Sequence, residues 1–461
     1  MGVRADDSAL DSAHMSELTV SAGPIRPPHP IAFAILIIPF GAMSGFVSVA
    51  MAFLCTRFHL TIEDGALLIA SGTFPHVWKF LWAPIVDTTL SRKKWYLLSV
   101  GCCATGIVAM SAVPMSRENL RLLQAVIFTA NLASTFLGMA VEGLMAHCTS
   151  PERRGRVGGW FQAGNLGGAG LGGGAGLWMA THVPSIEAPA PWISGAVLGL
   201  FFLAGSAALL AVPDAAAEYR SRSLPGAVLG AAGELWRTIT TRAGMLCAAL
   251  CLLPMNSGTA TNVLAQSEVA ARWGADENVV ALINGTLGGL VSAAGCLVSG
   301  EVCARINSKK VYAVVALLLA AVAVGMALSP FTRTNFVAFS LLYMFVVGLS
   351  YTAFTGFVLD TIGKGAAATK YNAFASLSNM PITYMGLFLA WVQTGWGERW
   401  MLFADAGTGI AGLFVLGVVT SLLGKVRTEP NLLCASCGRA LTSPPPDTRC
   451  PTCGTEQGAA A

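Results

Sequence analysis

Apolar residues are concentrated in twelve long runs separated by short polar stretches, from about residue 31 to residue 424. The runs lie at about 31–55, 65–87, 95–115, 121–146, 157–181 and 192–212, and then at about 244–266, 278–303, 311–330, 335–361, 371–395 and 400–424. A helix that crosses a bilayer needs about 20 mainly apolar residues, and each run is about that long. The pattern predicts an all-α membrane protein with 12 transmembrane helices in two six-helix bundles, over 31–212 and 244–424.

The segments outside the two bundles are polar. Residues 1–30 hold several acids and prolines but no apolar run, which predicts a disordered cytosolic tail and not a signal peptide. Residues 213–243 form a longer basic linker that holds Arg220, Arg222, Arg237 and Arg242. Residues 430–455 contain two cysteine pairs and are treated below as a separate small domain.

Composition supports a membrane protein. Hydrophobic residues make up 54% of the chain and charged residues only 11%, against roughly 25% charged in a typical soluble domain. The predicted membrane part contains no hydrolytic triad, no Rossmann glycine motif and no catalytic metal spacing, so we expect no enzyme activity. Nothing in the chain predicts binding to nucleic acid. The expected partners are the lipid bilayer and a small-molecule solute.

Lysines and arginines are distributed unevenly between the predicted loops. They cluster at 92–94, 153–156, 305–310 and 364–370 and in the linker, whereas the alternate loops carry only isolated arginines. Positively charged loops stay on the cytosolic side of a membrane. The distribution predicts that both termini are cytosolic in a multi-pass protein of the cell (inner) membrane.

Three landmarks of the first half have counterparts about 215 residues later. Pro39 corresponds to Pro254, Asp87 to Glu301, and Glu142 to Asp360. This spacing indicates a duplicated six-helix unit, and such repeats place substrate sites near the midplane between the halves. The segments 39–41 and 254–258 are expected to interrupt the first helix of each half, because proline removes a backbone hydrogen bond.

Several motifs resemble those of the major facilitator superfamily. The acid-plus-basic loop after the second helix, its repeat after the eighth, and Pro151-Glu152-Arg153-Arg154-Gly155 are similar to the loop signatures of that superfamily. Two longer stretches resemble AmpG-type muropeptide permeases and related acetyl-CoA transporters: Lys79-Phe80-Leu81-Trp82-Ala83-Pro84-Ile85-Val86-Asp87, and the segment from Ala368 to Asn379. The resemblance covers about 31–424 and implies the major facilitator fold, with proton-driven uptake of bulky solutes.

Ionisable residues inside a membrane are costly unless they are paired or hydrated, so each is a functional candidate. Lys79 lies about 12 Å from the end of its helix, where it either contacts an anionic solute or carboxylate in a cavity or snorkels to the interface. His76 lies one turn away on the same face and can titrate near neutral pH, or it serves only as a hydrogen-bonded helix residue.

Three acids are candidates for proton coupling. Glu142 and Asp360 lie near the ends of their helices, where they either exchange protons or bind the basic loop that follows. Asp405 is the deeper acid of the second half, and it is either buried or exposed at the outer mouth beside Arg399.

Uncharged polar residues and loop charges complete the candidate set. Gln162, Asn165, Asn256 and Asn379 either line the solute path or pack helices through hydrogen bonds. The acids Asp87 and Glu301, with Arg92 and Arg305, are expected to form a gate, pairing with basic loops and helix dipoles. In the superfamily that the sequence resembles, these loops hold the two halves together when the transporter faces outward. The glycines of the predicted fifth helix, 157–181, are expected to allow close helix packing.

The C-terminal cysteines have the spacing of a zinc ribbon. Cys434 and Cys437 form one C-x-x-C pair, and Cys450 and Cys453 form a second. Two thiolate pairs supply tetrahedral zinc ligands and would fold a segment too small to fold alone. A pair of redox dithiols is the alternative, which a cytosolic location disfavours. We predict structural Zn²⁺ in this ribbon. Its role is open between a structural cap, a dock for a cytosolic protein partner and a metal-linked regulator.

Taken with the resemblance, these residues favour a secondary transporter that carries a medium-sized polar or anionic solute inward with protons (symport). The alternative is a non-transporting relative that acts in assembly, cofactor delivery or sensing through its zinc ribbon.

Overall fold

A computed structural model describes residues 27–182, 192–214, 224–424, 432–433 and 440–441. The predicted N-terminal tail lies almost wholly outside these residues, and so do Cys434, Cys437, Cys450 and Cys453. The described chain is helical, apart from one short pair of strands. Strand β1, Leu432–Leu433, pairs antiparallel with β2, Ala440–Leu441.

The N-terminal half consists of helices that follow the predicted runs closely. They are α1 Ile31–Gly45, α2 Ala52–Arg57, α3 Ile62–Trp78, α4 Ala83–Thr88, α5 Arg92–Ala112, α6 Leu120–Cys148, α7 Arg154–His182 and α8 Trp192–Gly205. A π-helical turn, Phe46–Met51, joins α1 to α2, and a 3₁₀ turn, Lys79–Leu81, separates α3 from α4.

The predicted linker contains a helix that the run analysis did not predict, α9 Leu224–Thr240. The helices of the C-terminal half follow it. They are α10 Arg242–Leu252, α11 Ala260–Leu264, α12 Ser267–Arg272, α13 Glu277–Ala281, α14 Gly288–Cys303, α15 Ser308–Leu328, α16 Arg333–Ile362, α17 Ala367–Trp396 and α18 Glu398–Gly424.

Within the described residues, nine helical segments are long and apolar enough to cross a membrane. The other three predicted spans also contain helix, but not as a single long apolar segment. The second span is divided between α3 and α4, the fifth is the glycine-rich α7, and the seventh is divided between α10 and α11. The all-helical prediction is confirmed, whereas the count of twelve crossings stays a prediction.

The two predicted interruptions differ. The seventh span breaks as expected, because Leu253 is extended, Pro254 opens a short 3₁₀ turn and Gly258 has φ +70°. The prediction for the first helix is wrong, since α1 continues through Pro39 and departs from α geometry only at the π-turn. Proline is tolerated within membrane helices where neighbouring helices and local changes of helix type satisfy the freed backbone groups. Helix α1 has both, since it packs closely against α7 and continues into the π-turn.

The glycines of α7 confirm the expected close packing. Gly164, Gly168 and Gly172 lie against the backbone of α1, where an added Cβ would overlap main-chain atoms. Gly155, Gly159 and Gly170 lie in the same way against α14 of the other half. Small residues permit backbones to approach this closely, so α7 is a shared wall between the two halves.

Candidate functional site

The basic clusters at 92–94, 153–156 and 305–310 lie at helix ends that meet, and we call this end of the molecule the basic side. Here α4 and α6 of the N-terminal half contact α17, while α7 contacts α14 and α16. The hydrogen bonds and ion pairs that join the halves at these contacts form the candidate site.

Asp87 connects three elements on the basic side. Its carboxylate is fully buried and accepts a hydrogen bond from Arg92 Nη2 at 2.8 Å. It also accepts hydrogen bonds from the backbone N–H of Ala368 and from both the N–H and the hydroxyl of Thr369, at 2.7–3.3 Å. These groups belong to the first turn of α17, whose N–H groups have no partner within the helix. A carboxylate there is also favoured by the helix dipole. We call this contact the Asp87 latch.

Glu301, the counterpart of Asp87, makes a different contact. Its carboxylate accepts hydrogen bonds from Nε and Nη2 of Arg156, at 2.9–3.0 Å, and both side chains are about half exposed. Arg156 belongs to α7, so this ion pair also joins the two halves. Arg305, which the sequence grouped with Glu301, is exposed to solvent.

Glu142 is buried on α6 and faces the other half. Its Oε1 lies 3.8 Å from Lys79 Nζ, and its Oε2 accepts a 2.6 Å hydrogen bond from Asn372 Nδ2 of α17. Only 3% of Glu142 and 7% of Lys79 is exposed. Glu142 is therefore bound to buried partners rather than to Arg153 or Arg154. Lys79 likewise does not reach the surface by snorkelling.

Lys79 owes its position to a local change of helix type. Pro75 lies inside α3, and that helix ends at Trp78, so Lys79 begins the 3₁₀ turn before α4. Its ammonium also lies 5.7 Å from the ring centre of Phe40 on α1. A cation near an aromatic face gains further stabilisation when both are desolvated.

His76 lies beside Lys79, as predicted. Its Nε2 is 3.3 Å from Asn131 Oδ1, and its ring meets Phe40 edge-on at 4.9 Å. Phe40 thus contacts both candidate bases. The sequence analysis missed Phe40 and Asn131, because an aromatic residue and an amide in apolar helices look like ordinary packing residues.

Gln162 and Asn165 take part in a polar chain between the halves. Asn165 donates to Gln162 at 3.0 Å, and Gln162 donates to the Thr355 hydroxyl of α16 at 2.8 Å. That hydroxyl is 3.1 Å from the hydroxyl of Tyr371 on α17. Tyr371 and Asn372 belong to the stretch from Ala368 to Asn379 that carried the resemblance, which was the available signal for their role.

The remaining candidates lie elsewhere. Asp360 is bound at the surface by Arg154 at 3.0 Å. Arg154 lies in the N-terminal half, so Asp360 binds the opposite half and not the basic loop that follows it in the chain. Asn379 is half-buried on α17, about two turns beyond Asn372. Asn256, in the break of the seventh span, donates to the Tyr312 carbonyl at 3.0 Å.

Asp405 is buried within the C-terminal half. Its carboxylate accepts a 2.8 Å hydrogen bond from Tyr343 of α16. The alternative in which Asp405 is exposed beside Arg399 is wrong, since Arg399 instead lies over the ring of Phe331, 5.0 Å from its centre. Asp405 thus binds within its own half and not across the interface.

These features together define a polytopic membrane protein built from two helical halves that bind each other through buried polar residues. A sequence profile of the Major Facilitator Superfamily matches residues 31–384, well over half of the chain. The chain belongs to that superfamily, whose members are transporters rather than enzymes. We found no match among curated protein sequences.

Solved structures agree with this fold. The human organic anion transporter MFSD10 (TETRAN) superimposes with a TM-score of 0.63 at 17% identity, over 86% of this chain and 100% of that one. The Escherichia coli fucose:proton symporter FucP gives a TM-score of 0.64 at 15% identity, over 86% and 98%. The proton:xylose symporter XylE gives 0.61 at 11% identity, over 85% and 96%. At these identities the likeness concerns the fold alone.

Proposed function

We propose that this protein is a secondary active transporter that takes up a medium-sized polar or anionic solute together with protons by alternating access. The observation that carries the proposal is the buried Lys79–Glu142 pair, which Asn372 joins to the opposite half. A cation, a titratable acid and a contact between the halves meet there at one place.

The first step of the mechanism is the exchange of charge partners. Removing the charge of one member of a buried ion pair leaves the other uncompensated, which is strongly unfavourable. When Glu142 takes up a proton, Lys79 therefore needs a new anionic partner. A carboxylate or phosphate group of the solute supplies it, so proton and anion bind together.

The second step couples that exchange to the gate. Protonation of Glu142 replaces a charge-assisted hydrogen bond to Asn372 by a weaker neutral one. Asn372 lies in the same helix as Thr369, which binds Asp87. The Asp87 latch and the Arg156–Glu301 pair hold the basic side closed, and loosening α17 favours its opening. Gln162, Asn165, Asn256 and Asn379 then contact the solute as it passes. Arg92 holds Asp87 in the latch, whereas Arg305 makes no such contact with the residues that the structure describes.

The comparisons support this assignment. Two of the structural neighbours are named proton symporters and one is named an organic anion transporter. The resemblance to AmpG-type and acetyl-CoA transporters also favours a solute that carries an anionic group. In this proposal the basic side faces the cytosol, both termini are cytosolic and the protein lies in the inner membrane.

The C-terminal cysteines extend the proposal. Strands β1 and β2 pair with each other, and the sequence between them holds Cys434 and Cys437. We assign structural Zn²⁺ to Cys434, Cys437, Cys450 and Cys453, with a cytosolic protein as partner of the ribbon. The non-transporting alternative is not favoured by the comparisons.

Proton coupling can be measured in proteoliposomes that enclose a pH-sensitive dye. A muropeptide, acetyl-CoA and the neutral sugar fucose are added in turn, and we expect an anionic solute to acidify the lumen. Glu142→Gln preserves the shape of the side chain but cannot titrate. It should abolish solute-driven acidification while leaving exchange of the labelled solute intact.

The matched control is Asp360→Asn, which changes the repeated acid at the exposed position and should leave coupling near the wild-type level. Wild-type coupling in Glu142→Gln would show that Glu142 is not the coupling acid. If no anionic solute moved protons through the wild-type protein, proton-coupled anion uptake would be contradicted.

A further inference from the structure

Helix α9, Leu224–Thr240, carries an apolar face that no other described element covers. Leu229 and Trp236 are exposed by 72% and 69%, and they are seven residues apart, so they lie on the same face two turns from each other. Ala232 and Gly233 are exposed between them, whereas Ala231 on the opposite face is fully buried.

A surface helix of a soluble protein buries its apolar face and exposes a polar one. Helix α9 instead exposes an apolar face. Helix α9 is not among the described helices that are long and apolar enough to cross a membrane. A helix with one apolar face and too little apolar length to span lies in the membrane interface. Tryptophan is enriched at that depth.

The position of α9 fits an interfacial location. Thr241 caps α10 by accepting a hydrogen bond from the Gly244 N–H at 3.0 Å, and the Thr238 carbonyl occupies the space where a side chain of residue 244 would lie. The chain therefore turns sharply from α9 into a membrane helix. Helix α9 also packs against α4 and α17, at the basic-side ends of their spans.

Charge identifies the kind of surface that α9 meets. Arg237 is exposed beside Trp236, and Arg242 is exposed at the corner where α10 begins. Arginines at the edge of an apolar interfacial face are attracted to anionic headgroups. In a bilayer leaflet with anionic phosphate headgroups, the apolar residues of α9 leave water and the arginines lie near opposite charges. Exposure of the same face to water provides neither contact.

The inner face of α9 contacts residues on either side of the latch. Glu234 lies 3.8 Å from Lys370 Nζ, and Lys370 is 5% exposed in the first turn of α17. The Glu234 carboxylate also packs against Gly365, just before that helix. One face of α9 is thus apolar and exposed, while the other contacts the helix start that Asp87 caps.

We infer that the outer face of α9 binds the anionic leaflet on the basic side, and that this binding stabilises the closed latch through Glu234 and Lys370. Anionic lipid then acts as a positive regulator of the basic-side-closed arrangement. The lipid contact itself does not depend on which solute the protein carries.

The full-length protein can be compared in nanodiscs of phosphatidylcholine alone and of phosphatidylcholine with phosphatidylglycerol, by hydrogen–deuterium exchange. We expect the anionic lipid to slow exchange in 224–240 and in 366–372, by about thirtyfold for two arginines near an anionic surface. Leu229→Ser with Trp236→Ser should remove the response in both segments. Leu422→Ser, at another exposed apolar position, is the matched control and should retain it.

Glu234→Gln separates the two parts of the inference. It should preserve the lipid response of α9 but remove that of 366–372. Equal exchange of α9 in the two nanodiscs would overturn the proposal. Protection of α9 in detergent that increases with protein concentration would also overturn it, since the face would then bind a second copy of the chain.

Discussion

The repeated acids of the two halves have opposite environments. In the N-terminal half, Asp87 and Glu142 are buried and bind the start of α17. In the C-terminal half, Glu301 and Asp360 are exposed and bind arginines at the start of α7. The contacts follow the same pattern in both halves, because acids of each half bind the start of the fifth predicted span of the other half, α17 or α7. They differ in dielectric environment, so only the first pair can link a change of protonation to a large change in energy.

Buried and exposed acids should differ most in what their removal does to the free energy of unfolding. Asp87→Ala leaves the fully buried Arg92 without its charge partner, which typically costs about 3–5 kcal/mol. Unfolding in mixed micelles should show this loss in the free energy of unfolding. Glu301→Ala should cause a much smaller loss, because exposed ion pairs are screened by solvent.

A second variant tests the cause of that loss. Because the cost arises from the unpaired guanidinium, Asp87→Ala combined with Arg92→Leu should be more stable than Asp87→Ala alone. If the double variant lost the sum of both single effects, the buried charge would not be the reason.

Lys79 tests whether the buried environment also serves binding. Lys79→Met should weaken binding of an anionic solute by roughly 1–3 kcal/mol, the scale of a hydrogen bond to a charged group. Lys79→Arg should be less damaging, because the charge remains. Binding of the labelled solute to purified protein, followed by scintillation proximity, measures both variants. Unchanged affinity in Lys79→Met would make Lys79 structural.

Asp405 sharpens the comparison within the C-terminal half. It is buried like Glu142, but its partner Tyr343 belongs to the same half. Asp405→Asn should lower stability by about 1 kcal/mol through a weaker hydrogen bond, and solute-driven proton uptake should persist. Loss of coupling in this variant, with coupling retained in Glu142→Gln, would move the proton site to Asp405.

The smallest effect on the membrane part is expected from the appended cysteines. Cys434→Ser with Cys437→Ser should abolish zinc, measured by metal analysis of the purified protein, because two of four ligands are lost. Helical content and thermal unfolding of the membrane part should not change. Equal zinc in the double variant would contradict the ribbon.

Several features of the site were readable in the sequence because they depend on local pattern. Lys79, Glu142 and Asp87 stand out as charges within or beside apolar runs, and such charges need partners. The glycine spacing of α7 likewise predicted close packing. The partners themselves, Thr369, Asn372 and Phe40, carry no comparable signal, since hydroxyl, amide and aromatic side chains are common in membrane helices.

Helix α9 shows where the pattern analysis failed. Its run of apolar residues is too short and too interrupted by glycine to be read as a span, so residues 213–243 were interpreted as a linker. The exposed apolar face appears only when α4, α10 and α17 are seen to cover its other side. Amphipathicity can be measured along a sequence, but which face is covered depends on the neighbours.

The long apolar runs and the repeat of about 215 residues by themselves determined an all-helical, two-part membrane protein. Each follows from a short-range requirement: every apolar run must be shielded from water, and every backbone polar group in lipid must bond within its helix. Only the tertiary structure decided that Glu142 pairs with Lys79 and Asn372 while its repeat Asp360 stays at the surface. A side chain's burial is set by the helices packed around it, and those helices lie as many as 230 residues away in the chain.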